Sequence, residues 1–102
     1  MKVYDKLVRD RIPEIIEESG KKCEVEVVSN EIALEYLYKK LGEEIDELLS
    51  DKNVDEIADV MEVLFAIAKK YGYSDEEVLD VRNNKKSTRG GFEDNLVLKK
   101  VL

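Results

Sequence analysis

The 102-residue chain is long enough for a single domain, residues 1–102, with a modest hydrophobic core. Its net charge of −7 argues against a nucleic-acid-binding protein, because phosphate backbones are bound by a surplus of lysine and arginine. With no histidine and one cysteine, the chain has no His-based hydrolase triad, His-ligated metal or intramolecular disulfide. No stretch of 18 apolar residues or signal peptide is present, so we expect a cytoplasmic protein without membrane contact.

A short helix and a strand are the first predicted elements. Pro13 fits the first turn of a helix over residues 13–19, which ends before Gly20. Residues 23–28 alternate apolar and charged side chains, which predicts a strand. Residues 95–100, which begin Asn-Leu-Val-Leu, predict a second strand that could pair with the first in a small β-hairpin. Because an isolated hairpin is only marginally stable, it would have to pack on the helices or on a partner chain.

Two long helices follow. Leucines recur at three- and four-residue spacing over about 30–50, and Ser29 or Asn30 precedes this segment as its cap. The next helix, over about 54–71, is apolar almost all round and should be the central, most buried one. Since the connection over 51–53 is short, the two helices should pack antiparallel in a mainly α fold.

Two pairs of acidic residues lie on these helices. Glu44 occupies an inward position of the leucine pattern, and Glu47 lies one turn further on. Glu56 and Asp59 have the same spacing, and Asp59 lies in an apolar stretch. If the pairs face each other, four carboxylates converge without nitrogen or sulfur ligands, which suits Mg²⁺ or Mn²⁺. With 24 acidic residues in the chain, the alternative is that both pairs are ordinary solvated surface.

The last helix carries positive charge. Ser74 and Glu77 form a capping box at its start, and it should end near Thr88. Its basic face, with Asn83 at the edge, consists of Arg82, Lys85, Lys86 and Arg89. This face predicts either a binding site for an anion or ion pairs with the acidic helices. Lys6 and Arg9 would add to the same pocket, unless Arg9 pairs locally with Asp10.

These motifs resemble a known superfamily. Residues 43–47 and 56–59 read EEIDE and EIAD, which is similar to the EExxE…ExxD pattern of the MazG-like all-α nucleoside triphosphate pyrophosphohydrolases. Residues 6–16, KLVRDRIPEII, and 89–92, RGGF, resemble a small group of that superfamily described as phosphoribosyl-ATP pyrophosphohydrolase-like or house-cleaning enzymes. Together the matching segments touch most of the chain.

The resemblance implies a MazG-like antiparallel helical bundle and an enzyme that hydrolyses nucleotides between the α- and β-phosphates, releasing pyrophosphate and a nucleoside monophosphate. Mg²⁺, with Mn²⁺ as a substitute, would be held by Glu44, Glu47, Glu56 and Asp59. Either Glu47 or Glu43 would orient or deprotonate the attacking water. The resemblance assigns nucleotide binding to Arg82, Asn83 and Lys86. The charge pattern adds Arg89, Lys6 and Arg9 as further candidates for substrate binding.

Two alternatives stay open at this point. The enzyme could act on one specific metabolite such as phosphoribosyl-ATP, or the chain could be a non-catalytic helical interaction module. In either case the apolar surface of the second long helix predicts a homodimer or a larger homo-oligomer, and the oligomerisation of the resembling superfamily points the same way.

Overall fold

The computed structural model describes all residues 1–102 and contains four helices and no β-strand. Because 60% of the chain is helical, the expected mainly α class is confirmed. The helices are α1 (Ile12–Glu18), α2 (Asn30–Asp51), α3 (Val54–Lys70) and α4 (Asp75–Arg89).

Local side-chain caps define where the helices begin. The Ser29 hydroxyl accepts a hydrogen bond from the Ile32 backbone N–H at 3.2 Å, so Ser29 caps α2. At the start of α4, the Ser74 hydroxyl accepts from the Glu77 N–H at 3.1 Å, and the Glu77 carboxylate accepts from the Ser74 N–H at 3.3 Å. The predicted capping box is therefore confirmed.

Helices α2 and α3 form an antiparallel hairpin. Lys52 and Asn53 connect them, and Lys52 adopts a left-handed conformation with φ of 53° that reverses the chain. At the open end of the hairpin, the Lys70 ammonium donates to the Asn30 side-chain oxygen at 2.9 Å. The start of α2 thus meets the end of α3, as the short connection predicts.

The core lies in the seam between α2 and α3. Leu37 of α2 packs against Val63 and Ile67 of α3, and all three side chains are buried. Leu34 and Leu41 flank this cluster from the neighbouring turns of α2, as the leucine spacing predicts. Burial of these apolar side chains fixes how the two helices are rotated against each other, and therefore which of their polar residues face the seam.

The predicted β-hairpin is wrong. Neither residues 23–28 nor residues 95–100 form a strand, and the backbone of neither segment makes a hydrogen bond within the chain. Cys23 and Val28 are partly buried, but Val27 is 97% exposed and Leu96 is 87% exposed, so neither segment has the apolar layer along one face that a strand pair needs. Two short strands need an apolar layer to stabilise their pairing, and the alternating pattern alone does not supply one.

The single chain leaves much apolar surface open. It extends over 62 × 31 × 22 Å with a radius of gyration of 17.9 Å, whereas about 13 Å is typical of a compact domain of this length. Helix α4 packs only on α3, and α1 contacts no other helix. The sequence predicts that helix α3 is the central, most buried helix. One side of it is buried, but Ile57, Met61 and Leu64 are each about half exposed. None of the four helices has the length and apolar character needed to cross a bilayer.

We expect a second copy of the chain to cover the open face of α3, because exposed apolar patches of this kind mark interaction surfaces. Light scattering at micromolar concentration should then give the mass of a dimer or larger assembly. Leu64→Glu should shift the mass towards the monomer. Lys22→Glu, which changes charge in an exposed polar loop, should leave the mass unchanged. A monomeric wild-type chain contradicts the expectation.

Candidate metal centre

Three carboxylates converge near the closed end of the α2–α3 hairpin. Glu44, Glu56 and Asp59 each place a carboxylate oxygen within 4.8 Å of the other two, and we refer to them as the three-carboxylate cluster. Glu44 faces the seam because it continues the inward leucine positions of α2. Glu56 and Asp59 lie one turn apart on α3, so both point to the same side.

The start of α3 positions Glu56. The Asn53 side-chain oxygen accepts a hydrogen bond from the Glu56 backbone N–H at 3.1 Å, which caps the helix and fixes its first turn. A carboxylate in the first turn is also stabilised by the partial positive charge of the helix amino terminus. The cap therefore orients a ligand-type side chain as well as beginning the helix.

Two oxygens of the cluster are buried and unpaired. The Glu44 side chain is 12% exposed, and its Oε1 lies 3.7 Å from the Lys40 ammonium. Glu44 Oε2 and Glu56 Oε2 have no contact with solvent and no hydrogen-bond partner within the chain. Buried carboxylate oxygens without a partner are costly, and they are uncommon unless another group satisfies them.

The electrostatics of the cluster also indicate uncompensated negative charge. Burial raises the pKa of Glu44, repulsion from Glu47 raises it further, and the opposing attraction of Lys40 is too weak to restore its usual value. Burial, followed by repulsion from Glu47 and Asp51, likewise raises the pKa of Glu56. The cluster thus holds more negative charge than its surroundings compensate.

The donor set fits a hard divalent cation. All its ligand atoms are carboxylate oxygens, the kind that Mg²⁺ and Mn²⁺ prefer, and no nitrogen or sulfur donor belongs to the cluster. The two buried, unpartnered oxygens are the positions that such an ion would satisfy.

Glu47 and Glu43 lie outside the three-carboxylate cluster. Both side chains are exposed on α2, and Glu47 is one turn beyond Glu44. Its charge nevertheless raises the pKa of both Glu44 and Glu56, so Glu47 borders the cluster. The structure therefore brings together three of the four residues predicted to bind metal and places the fourth at their edge.

The amino-terminal segment reaches the cluster. Residues 5–10, here called the N-terminal arm, run along the α2–α3 seam, and the Arg9 guanidinium donates to Asp59 Oδ1 at 2.7 Å. The alternative of a local ion pair between Arg9 and Asp10 is not formed. Lys6 instead lies 5.7 Å from the centre of the Tyr4 ring and makes no ion pair. Of the two predicted amino-terminal residues, Arg9 is the one that meets the acids.

The basic face of α4 stays apart from the cluster in a single chain. Arg82 donates to the Asn83 side-chain oxygen at 2.7 Å, and Lys86 lies 3.8 Å from the Glu93 carboxylate. Arg89 makes no ion pair, and α4 has no packing contact with α2. The structure therefore does not bring Arg82, Asn83, Lys86 and Arg89 to the acidic residues within one chain.

A groove of about 690 Å³ runs beside the cluster, within the size range of small-molecule sites. Apolar side chains from both helices form much of its lining. Two members of the cluster, Glu44 and Asp59, also line it, together with the cationic residues Arg9, Lys40, Lys69 and Lys70. Sequence reasoning missed Lys40, although its four-residue spacing to Glu44 could have indicated it.

No protein-family model, curated protein or solved structure matches the chain.

Neutralising Glu44 should stabilise the metal-free protein at neutral pH. Because the pKa of Glu44 is raised above its ordinary value of 4.5, the folded chain binds the proton more readily than the unfolded chain. Wild-type stability should therefore fall as pH rises from 4.5 through the raised pKa, and stay lower above it.

Thermal melts in a chelator test this dependence. Glu44→Gln should melt above the wild type at pH 7, and the difference should vanish below pH 4.5. Glu35→Gln, an exposed residue of the same helix, removes an equal charge and should stay close to the wild type at every pH. A lower melting temperature for Glu44→Gln at pH 7 would show that its pairing with Lys40 dominates instead.

Proposed function

We propose that the protein is a Mg²⁺-dependent nucleotide pyrophosphohydrolase of the MazG-like kind, which cleaves between the α- and β-phosphates. One observation carries the proposal: three carboxylates from adjacent helices converge, and two of their oxygens are buried without a partner. The motifs of residues 43–47 and 56–59, which resemble those of the superfamily, contain all three residues.

In this proposal each acidic residue has a task. Glu44, Glu56 and Asp59 would hold Mg²⁺ or Mn²⁺, which supplies charge neutralisation to the phosphates and acidifies a bound water. Glu47, at the exposed edge of the cluster, is better placed than Glu43 to accept a proton from the attacking water, because its charge already acts on both Glu44 and Glu56.

The groove supports a nucleotide as the ligand. Ala33, Leu37, Val63 and Ala66 line it with apolar surface suited to a base and sugar. Lys40 contributes positive charge beside Glu44, where phosphates would be drawn. The volume of about 690 Å³ accommodates a small molecule of nucleotide size.

The basic face of α4 would complete the site only in an assembly of chains. Within one chain it makes no ion pair with α2 or α3. We therefore propose a homo-oligomer in which Arg82, Asn83, Lys86 and Arg89 of one copy approach the acidic residues of another. The open apolar face of α3 supports association of chains, because a second copy would cover the half-exposed Ile57, Met61 and Leu64.

A pyrophosphate-release screen over nucleoside triphosphates and phosphoribosyl-ATP, with and without Mg²⁺, tests the function. At least one nucleotide should release pyrophosphate only when Mg²⁺ is present. Glu56→Gln should lower that activity by at least about 100-fold, since even indirect disturbance of metal ligands costs 10- to 100-fold. Glu56 takes part in no ion pair, so the variant should remain folded.

Glu35→Gln provides the matched control and should retain wild-type activity, because Glu35 is exposed on α2 away from the cluster. A non-catalytic interaction module predicts no Mg²⁺-dependent release with any nucleotide. Either that outcome or full activity in Glu56→Gln would refute the proposed function.

A further inference from the structure

The N-terminal arm already places a cation on the three-carboxylate cluster. We propose that Arg9 alternates between two partners: it pairs with Asp59 when the metal is absent, and it binds a phosphate of the nucleotide when the metal is coordinated by Asp59. This inference rests on the proposed function, because it requires a metal site that includes Asp59.

The contact with Asp59 is the first support. The Arg9 Nη2 atom lies 2.7 Å from Asp59 Oδ1, and Asp59 also contributes a carboxylate oxygen to the cluster. The guanidinium thus neutralises a carboxylate that an ion would otherwise coordinate. An ion bound at the cluster and Arg9 compete for the same negative charge.

The comparison with Lys40 shows which cation is the exchangeable one. Lys40 lies on α2 four residues before Glu44, its side chain is 20% exposed, and its ammonium is 3.7 Å from the Glu44 carboxylate. Arg9 precedes α1, and its carbonyl accepts a turn hydrogen bond from the Ile12 N–H at 3.0 Å. Its side chain is 54% exposed and hydrogen-bonds Asp59 alone. Arg9 therefore has both the solvent space and the side-chain freedom to leave Asp59.

Other contacts keep Arg9 near the site after it leaves Asp59. Leu7 packs against the buried cluster around Leu37, and the Tyr36 hydroxyl donates to Asp5 Oδ1 at 2.8 Å. Both contacts anchor the arm without using Arg9, so the backbone stays in place when the ion pair breaks. The released guanidinium remains in the groove wall, where its planar set of donors suits a phosphate.

The expected effect on metal binding is modest. Exposed ion pairs change equilibrium constants by about 1.4- to 5-fold, so Arg9 should weaken binding of the ion without preventing it. Its effect on phosphate binding should have the opposite sign, because the released guanidinium adds a charged donor for the anion. A residue with a purely structural role would instead weaken both kinds of binding when it is replaced.

Two binding titrations on the whole chain test the exchange. The first follows free Mn²⁺ by electron paramagnetic resonance as Mn²⁺ is added to the metal-free protein. Arg9→Gln should bind Mn²⁺ about two- to fivefold more tightly than the wild type. Arg11→Gln removes the same charge two residues further on, from a side chain that pairs with Glu14, and should leave the Mn²⁺ affinity unchanged.

The second titration measures inorganic pyrophosphate by calorimetry at saturating Mg²⁺. Here Arg9→Gln should bind about tenfold more weakly, as expected for the loss of one charge-assisted contact. Arg9→Lys should recover part of the pyrophosphate affinity, because it keeps the charge but not the forked geometry. Circular dichroism of each variant verifies that it is folded.

The outcomes distinguish a failure of the proposed exchange from a failure of the proposed function. If the wild type binds Mn²⁺ but Arg9→Gln and Arg11→Gln increase the Mn²⁺ affinity equally, the increase is a general effect of charge and the exchange is refuted. If Arg9→Gln binds Mn²⁺ and pyrophosphate no differently from the wild type, or binds both more weakly, the exchange is refuted while the metal site stands. If the wild type binds no Mn²⁺, the proposed function fails and the exchange fails with it.

Discussion

The burial of Glu44 in the seam of the α2–α3 hairpin is the constraint on which the proposed site depends. Leu37, Val63 and Ile67 fix the rotation of the two helices, and this rotation turns Glu44 towards α3. One oxygen of its carboxylate is then shielded from solvent and has no hydrogen-bond donor within the chain. Such an arrangement costs free energy in the metal-free chain, and a bound cation would recover that free energy.

Much of the helical architecture could be predicted because its signals are local. The leucine spacing of α2, the Ser74–Glu77 capping box and the short connection at Lys52 are each visible within a few residues. The same spacing placed Glu44, Glu56 and Asp59 on facing sides of two helices. The β-hairpin failed because its pairing depends on distant packing that alternation in segments 23–28 and 95–100 does not encode.

The contact between Arg9 and Asp59 spans 50 residues, and no periodic pattern records it. The sequence allowed Arg9 a place in the pocket or a local pair with Asp10, and the path of the N-terminal arm decided between them. The basic face of α4 is the opposite case, because its pattern is visible in the sequence but the contact expected from it is not formed. Its three- and four-residue spacing made it easy to recognise, yet its one ion pair within the chain joins Lys86 to Glu93, and none reaches the acidic residues of α2 and α3. Both cases depend on which segments of the chain contact each other, and the periodicity of residues in the sequence does not predict such contacts.

The most direct measurement is the anomalous diffraction of Mn²⁺ in crystals of the wild-type protein grown with the ion. We expect an anomalous peak bounded by Glu44, Glu56 and Asp59, with Glu44 Oε2 and Glu56 Oε2 facing it. The Arg9 guanidinium should have moved away from Asp59. A map without a peak at these three carboxylates, at an ion concentration that saturates binding in solution, would contradict the assignment of the metal centre.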